Sequence, residues 1–175
     1  MKIKRLTHSA IFTAIGVVIL YIGCFFQVAD LSVCAIASLI VVMAALELGL
    51  KSAFAIYLAT SVIALLILPA KFIAATYAVF VGCYPLLKNL FERLPKAVSW
   101  ILKLLSANAA LTLMFVLSAY VFKIDDKMTA PIIAATYALA NIAIVLFDIA
   151  LNRLILLYHY KFRKMLGIAK MMRPK

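Results

Sequence analysis

The residues of this chain whose types suit chemistry are few, and they sit inside otherwise apolar runs. At 100° per residue, Tyr77, Tyr84 and Lys88 fall within about 40° of one another on a helix. The same arithmetic places Tyr137, Asn141, Asp148 and Asn152 within about 60°, and Asn108 and Thr112 about 40° apart on a shorter stripe. Phenols, amides and hydroxyls of this kind donate and accept hydrogen bonds, and the chemistry they suit is recognition. Exposed to lipid, each polar group costs several kcal/mol by order of magnitude, so the stripes must face one another or a water-filled cavity. Two readings follow: an outward-facing pocket holding a ligand, or interhelical hydrogen bonds worth only ~0.6 kcal/mol per pair on average. Lys88, Glu92, Arg93, Asp148, Asn152 and Arg153 cluster toward one end of their runs, where a structural ion-pair network is expected.

Reaction chemistry is sparse. His8 and His159 lie at the ends of apolar runs and the three cysteines are scattered, so neither a metal site nor a metal cofactor is expected. Glycine-rich phosphate loops are missing. No Ser or Asp joins a plausible general base, and Asp30 and Asp148 should lie near opposite membrane faces, so an enzyme is not expected. Cys24 and Cys34 flank the segment "FFQVADLS", where they suit either a disulfide or small apolar filling.

The elements that position these residues follow from composition. Of 175 residues, 68% are apolar and 14% charged, which is the signature of an integral membrane protein and leaves no stretch for a separate soluble domain. The net charge of +12 does not point to nucleic acid, because the basic residues sit at the ends of apolar runs rather than on a folded basic surface. A helix needs about 20 apolar residues to cross ~30 Å of hydrocarbon. On that ruler the chain is all-α and polytopic, with six transmembrane helices over 8–26, 33–50, 52–70, 72–94, 100–122 and 131–158. The first is read as a retained helix rather than a signal peptide. Residues 1–160 form one six-helix domain, and 161–175 a basic tail suited to anionic lipid heads. Fifteen of the eighteen Lys and Arg fall on the side of the N-terminus, so both termini are expected to be cytoplasmic. Pro85 should bend the fourth span, since it removes a backbone donor and frees the Val81 carbonyl.

The hexamer "IAATYA" occurs at 73–78 and 133–138. Both copies lie on spans running the same way, and each sets a Thr-Tyr pair about one and a half turns below the outer surface. Tyr77 and Tyr137 suit an interfacial aromatic belt or the lining of the pocket, with Thr76 and Thr136 beside them.

Small residues spaced by four in "HSAIFTAIG", namely Ala10 and Ala14, let two helices approach closely in lipid. With six spans, cytoplasmic termini and no ATPase of its own, the chain resembles the substrate-binding S component of energy-coupling factor transporters. The resemblance implies that Ala10 and Ala14 dock on a transmembrane coupling subunit carrying ATPase subunits, in the bacterial cytoplasmic membrane. It further implies capture of a vitamin-like small molecule from outside by the outward halves of the fourth to sixth spans. On this resemblance the ligand contacts are Tyr77, Tyr84, Asn108, Thr112, Tyr137 and Asn141, with Gln27 and Asp30 from the loop "QVADLS" that would close over them. Rod-shape-determining membrane proteins of the cell-wall machinery are similar in size and helix count. They imply the alternative, a scaffold with no small-molecule substrate.

Overall fold

The computed structural model describes residues 2–25, 30–120 and 130–158. Every element among them is helical: α1 (Lys2–Gly23), α2 (Asp30–Glu47), α3 (Leu50–Ile67), α4 (Lys71–Thr76), a π-helical turn (Tyr77–Val81), α5 (Tyr84–Phe91), α6 (Lys96–Tyr120) and α7 (Ala130–Leu157). In hydrocarbon each backbone N–H and C=O must be paired within its own segment, and the helix alone does that for a single strand of chain. The 18 residues of α2 rise about 27 Å, close to the ~30 Å of the apolar core. Six segments are long and apolar enough to cross a membrane, the fourth being Lys71–Phe91, in which α4, the π turn and α5 run on as one span. The protein is a multi-pass membrane protein.

The surface has the polarity such a solvent demands. Phe54, Leu66, Leu105, Leu139 and Leu146 are exposed around the bundle, while Ala37, Ala44, Ala53, Ala64 and Ala74 are fully buried between helices. Lipid tails are as apolar as leucine, so association rests on close packing, and small residues permit it. One core cluster joins α1 to α4 around Leu20, Cys34, Leu68, Ile73 and Tyr77. Another joins α2, α5, α6 and α7 around Val42, Tyr84, Ala107, Ile144 and Leu151. With six crossings the start of α1 and the end of α7 lie at the same end of the bundle, called here the terminal end. There the Tyr158 phenol donates to Glu47 at 2.5 Å, tying α7 to α2.

The turns differ from the expected boundaries for local reasons. The chain reverses between α2 and α3 at Leu48–Gly49 rather than at Lys51, because Gly49 takes φ +89°, a left-handed conformation open to glycine at little cost. Between α3 and α4 the break falls at residues 68–70, where Leu68 is extended ahead of Pro69, as the residue before a proline prefers. Helix α6 starts at Lys96, four residues before the expected Trp100. Pro95 cannot donate but its carbonyl accepts from the Ser99 N–H at 2.9 Å, which closes the first turn.

The interruption in the fourth span is deeper than a proline kink. The Gly82 N–H donates to the Tyr77 carbonyl, five residues back, at 2.8 Å. Pro85 lies in the first turn of α5, where its missing N–H leaves no helical bond broken. A π turn accommodates one extra residue and so rotates everything beyond it by about 100° relative to a straight α-helix. Gly82 permits the geometry: a Cβ there would lie 2.6 Å from the Tyr77 carbonyl oxygen.

Candidate functional site: a buried charge cluster and an outer polar layer

Because of that rotation, Tyr77 and Tyr84 do not share a stripe. Tyr77 is fully buried toward α3, its ring 6.4 Å from that of Tyr57, and the Tyr57 phenol donates to the Ala78 carbonyl within the π turn. Tyr84 points the other way, to α7, where its phenol donates to Asp148 Oδ1 at 2.9 Å. The stripe expected from uniform periodicity is thereby split into two environments.

Around Asp148 side chains of three helices, α5, α6 and α7, converge. Lys88 of α5 donates to Oδ1 at 2.5 Å, and Lys103 of α6 donates to both carboxylate oxygens at 3.1 Å. Asn152, one turn along α7, reaches Oδ2 at 3.5 Å. Asp148 is 1% exposed, Lys88 3% and Lys103 4%. Two buried ammonium groups against one buried carboxylate leave one positive charge over. Glu92, in the turn after α5, supplies the second carboxylate, 3.0 Å from Lys88 Nζ and 3.3 Å from Lys103 Nζ. Its side chain is 44% exposed, so it is the charged member of the cluster that solvent reaches. The expected ion-pair network is present, with two differences. Arg93 and Arg153 are exposed, and Lys103, absent from the expected set, is central. The signal for Lys103 was its setting between Ser99 and Ala107 at i±4, small residues marking a packed face of α6; all three are buried.

The outer layer, farther from the terminal end, joins α6 to α7 directly. Asn108 and Asn141 exchange amide hydrogen bonds at 3.0 and 3.1 Å, and each also donates one turn back to a carbonyl of its own helix. The hydroxyls of Thr112 and Tyr137 lie 2.8 Å apart, and the Tyr137 ring stacks on Phe115 at 5.7 Å. These four expected ligand contacts are brought together, as partners of one another. Thr76 and Thr136 each turn back to a carbonyl of the preceding turn. Asp30 opens α2, with Oδ1 buried and without a hydrogen-bond partner among the described residues, as is the Tyr77 hydroxyl. Gln27 lies outside the described residues. Cys24 and Cys34 are free thiols, Cys34 buried against the Ile73 carbonyl.

A recess of about 200 Å³ opens between the outer part of α2, the π turn and α7, lined by Leu31, Ala35, Phe80, Ile144 and Phe147 among others. Along the same α2–α7 seam, nearer the terminal end, Val42, Leu46, Pro85, Leu151 and Ile155 border a smaller one. Between these two recesses α7 is fastened to α5 by Asp148. Among the described residues no group of His, Cys, Asp and Glu is placed to hold a metal ion.

Comparison with protein-family models, curated proteins and solved structures finds no match to this chain.

Proposed function

We propose that this chain is the membrane-embedded substrate-capture subunit of an ATP-driven micronutrient uptake transporter, the role its resemblance to energy-coupling factor S components implies. The observation that carries the reading is the placement of Ala10 and Ala14. Both are exposed on α1, while Thr13, Gly16 and Leu20 take its inward face. A small-residue pair spent on packing within the bundle would be buried. Here it leaves a low ridge on which a helix of a coupling subunit can lie closely.

In this reading the termini are cytoplasmic and the membrane is the bacterial cytoplasmic one. A vitamin-sized ligand enters the outer half, where the aromatic recess between α2 and α7 supplies apolar area and the Asn108–Asn141 and Thr112–Tyr137 pairs supply exchangeable hydrogen bonds. Gln27 and Asp30 stand as contacts from the closing loop.

The test is assembly. Replacing Ala10 and Ala14 together by Leu should abolish co-purification of ATPase-bearing subunits from membranes of a homologous host, with ligand affinity unchanged. A retained complex would contradict the docking face. One observation favours the second reading, a scaffold of the cell-wall machinery. The four outer-layer side chains already satisfy one another, as interhelical fastening requires. A scaffold would co-purify with cell-wall proteins and show no saturable ligand site.

A further inference from the structure

The charge cluster does not end inside the bundle. At the terminal end a cleft of about 500 Å³ opens onto it, lined by Glu92, Leu94, Lys96, Ser99, Trp100 and Lys103, with Asp148 and Asn152 at its floor. Glu92 holds the Lys88 and Lys103 ammonium groups from the cleft side; its backbone caps α5 through the Lys88 carbonyl at 2.9 Å, while its side chain is exposed and borders solvent. Swinging this side chain into solvent would uncover one unmatched positive charge at the cleft floor. A buried charge without a partner is costly, so an anion arriving through the cleft is strongly favoured there. It would take over the hydrogen bond from Lys103 and the ion pair with Lys88 that Glu92 gives up.

The walls indicate which anion. Lys96, exposed at the first residue of α6, adds a second cation at the rim. Trp100 lies one turn further in, with Lys103 Nζ 5.2 Å from its ring centroid, and Leu94 is exposed beside it. The cleft thus pairs ammonium groups with apolar walls at the depth where a span ends and headgroups begin, the level at which tryptophan is enriched. A soluble anion uses the ammonium groups but not the walls. A lipid phosphate uses both, with its glycerol and upper acyl chain against Leu94 and Trp100.

We propose that this cleft binds the phosphate of an anionic phospholipid, which replaces Glu92 on Lys103 and Lys88. The site is distinct from the basic tail and independent of the transport reading. Glu92 acts as the internal stand-in that keeps the cluster neutral when the cleft is empty.

Trp100 is the only tryptophan, so its fluorescence reports the cleft directly. The full-length protein in neutral detergent is titrated with short-chain phosphatidylglycerol, with short-chain phosphatidylcholine and with inorganic phosphate. A saturable change with phosphatidylglycerol is expected, with phosphatidylcholine at least about ten-fold weaker. Glu92→Gln should tighten phosphatidylglycerol binding several-fold by removing the internal competitor, and Lys96→Ala, at an exposed position, should weaken it without affecting folding. An equal response to phosphatidylcholine, or none to phosphatidylglycerol, would overturn the site. Saturation by inorganic phosphate at the same concentrations would overturn the lipid assignment in favour of a free anion.

Discussion

Asp148 accepts hydrogen bonds from Tyr84, Lys88, Lys103 and Asn152, and that convergence is what lets an ionised group sit within a span. Removing one partner of such a set leaves the others charged and buried, which typically costs 3–5 kcal/mol by order of magnitude. Asp148→Asn should therefore lower the thermal unfolding midpoint in detergent sharply, whereas the paired change Lys88→Met with Asp148→Leu should recover part of the loss. The Asn108–Asn141 exchange is a neutral pair, and interhelical hydrogen bonds in lipid average about 0.6 kcal/mol. Asn141→Leu should leave the protein folded with a midpoint shift of a few degrees at most, and on the transport reading it should abolish ligand binding. At this scale the sequence was legible where an ionisable residue interrupts an apolar run. Lys88, Glu92 and Asp148 are found that way, and Asn108, Thr112, Tyr137, Asn141 and Asn152 by phase. Lys103 interrupts the fifth run in the same way but was not assigned to the network, because it lies about 140° around α6 from Asn108 and belongs to no polar stripe.

Among the elements, the six apolar runs and their approximate limits could be read from length and hydropathy, because the bilayer imposes both. The π turn could not. Phase arithmetic assumes a uniform 3.6-residue period, and one inserted residue between Tyr77 and Tyr84 invalidates it for the rest of the span. The consequence is structural: with a continuous α-helix, orienting Tyr77 toward Tyr57 would carry Tyr84 and Lys88 away from Asp148. Gly82 is the residue that permits the turn. Gly82→Ala brings a methyl against the Tyr77 backbone carbonyl, where backbone cannot yield as a flexible side chain would. A loss of about 1–3 kcal/mol is expected, measured as a lowered midpoint in detergent unfolding. Gly49 also went unremarked from sequence, since a single glycine between two apolar runs gives little warning that it, rather than Lys51, makes the reversal.

For the whole molecule, the bundle consists of a closely packed group, α1 to α5, and the pair α6 and α7, which is linked within itself by the outer-layer hydrogen bonds and to the rest by Asp148 and the Tyr158–Glu47 contact. The recesses along the α2–α7 seam lie on either side of that fastening. Orientation rests on charge asymmetry and is directly testable. Lys51 and Lys71 are exposed at turns on opposite ends of α3, so in a background lacking the native cysteines Lys51→Cys should react with an impermeant thiol reagent only after the membrane is opened, and Lys71→Cys without opening it. The reverse pattern would invert the topology. Length and composition bound the fold this far because a membrane admits few alternatives, whereas the ligand and partners depend on side-chain geometry that a period cannot supply. On the transport reading the protein captures a small molecule on behalf of an ATP-driven partner. Native mass spectrometry of the protein released gently from membranes of a homologous host tests it most directly. The expected spectrum shows a vitamin-sized adduct that heat or excess detergent removes, together with ATPase-bearing subunits. A protein carrying only phospholipid, accompanied by cell-wall proteins and no ATPase, would contradict it.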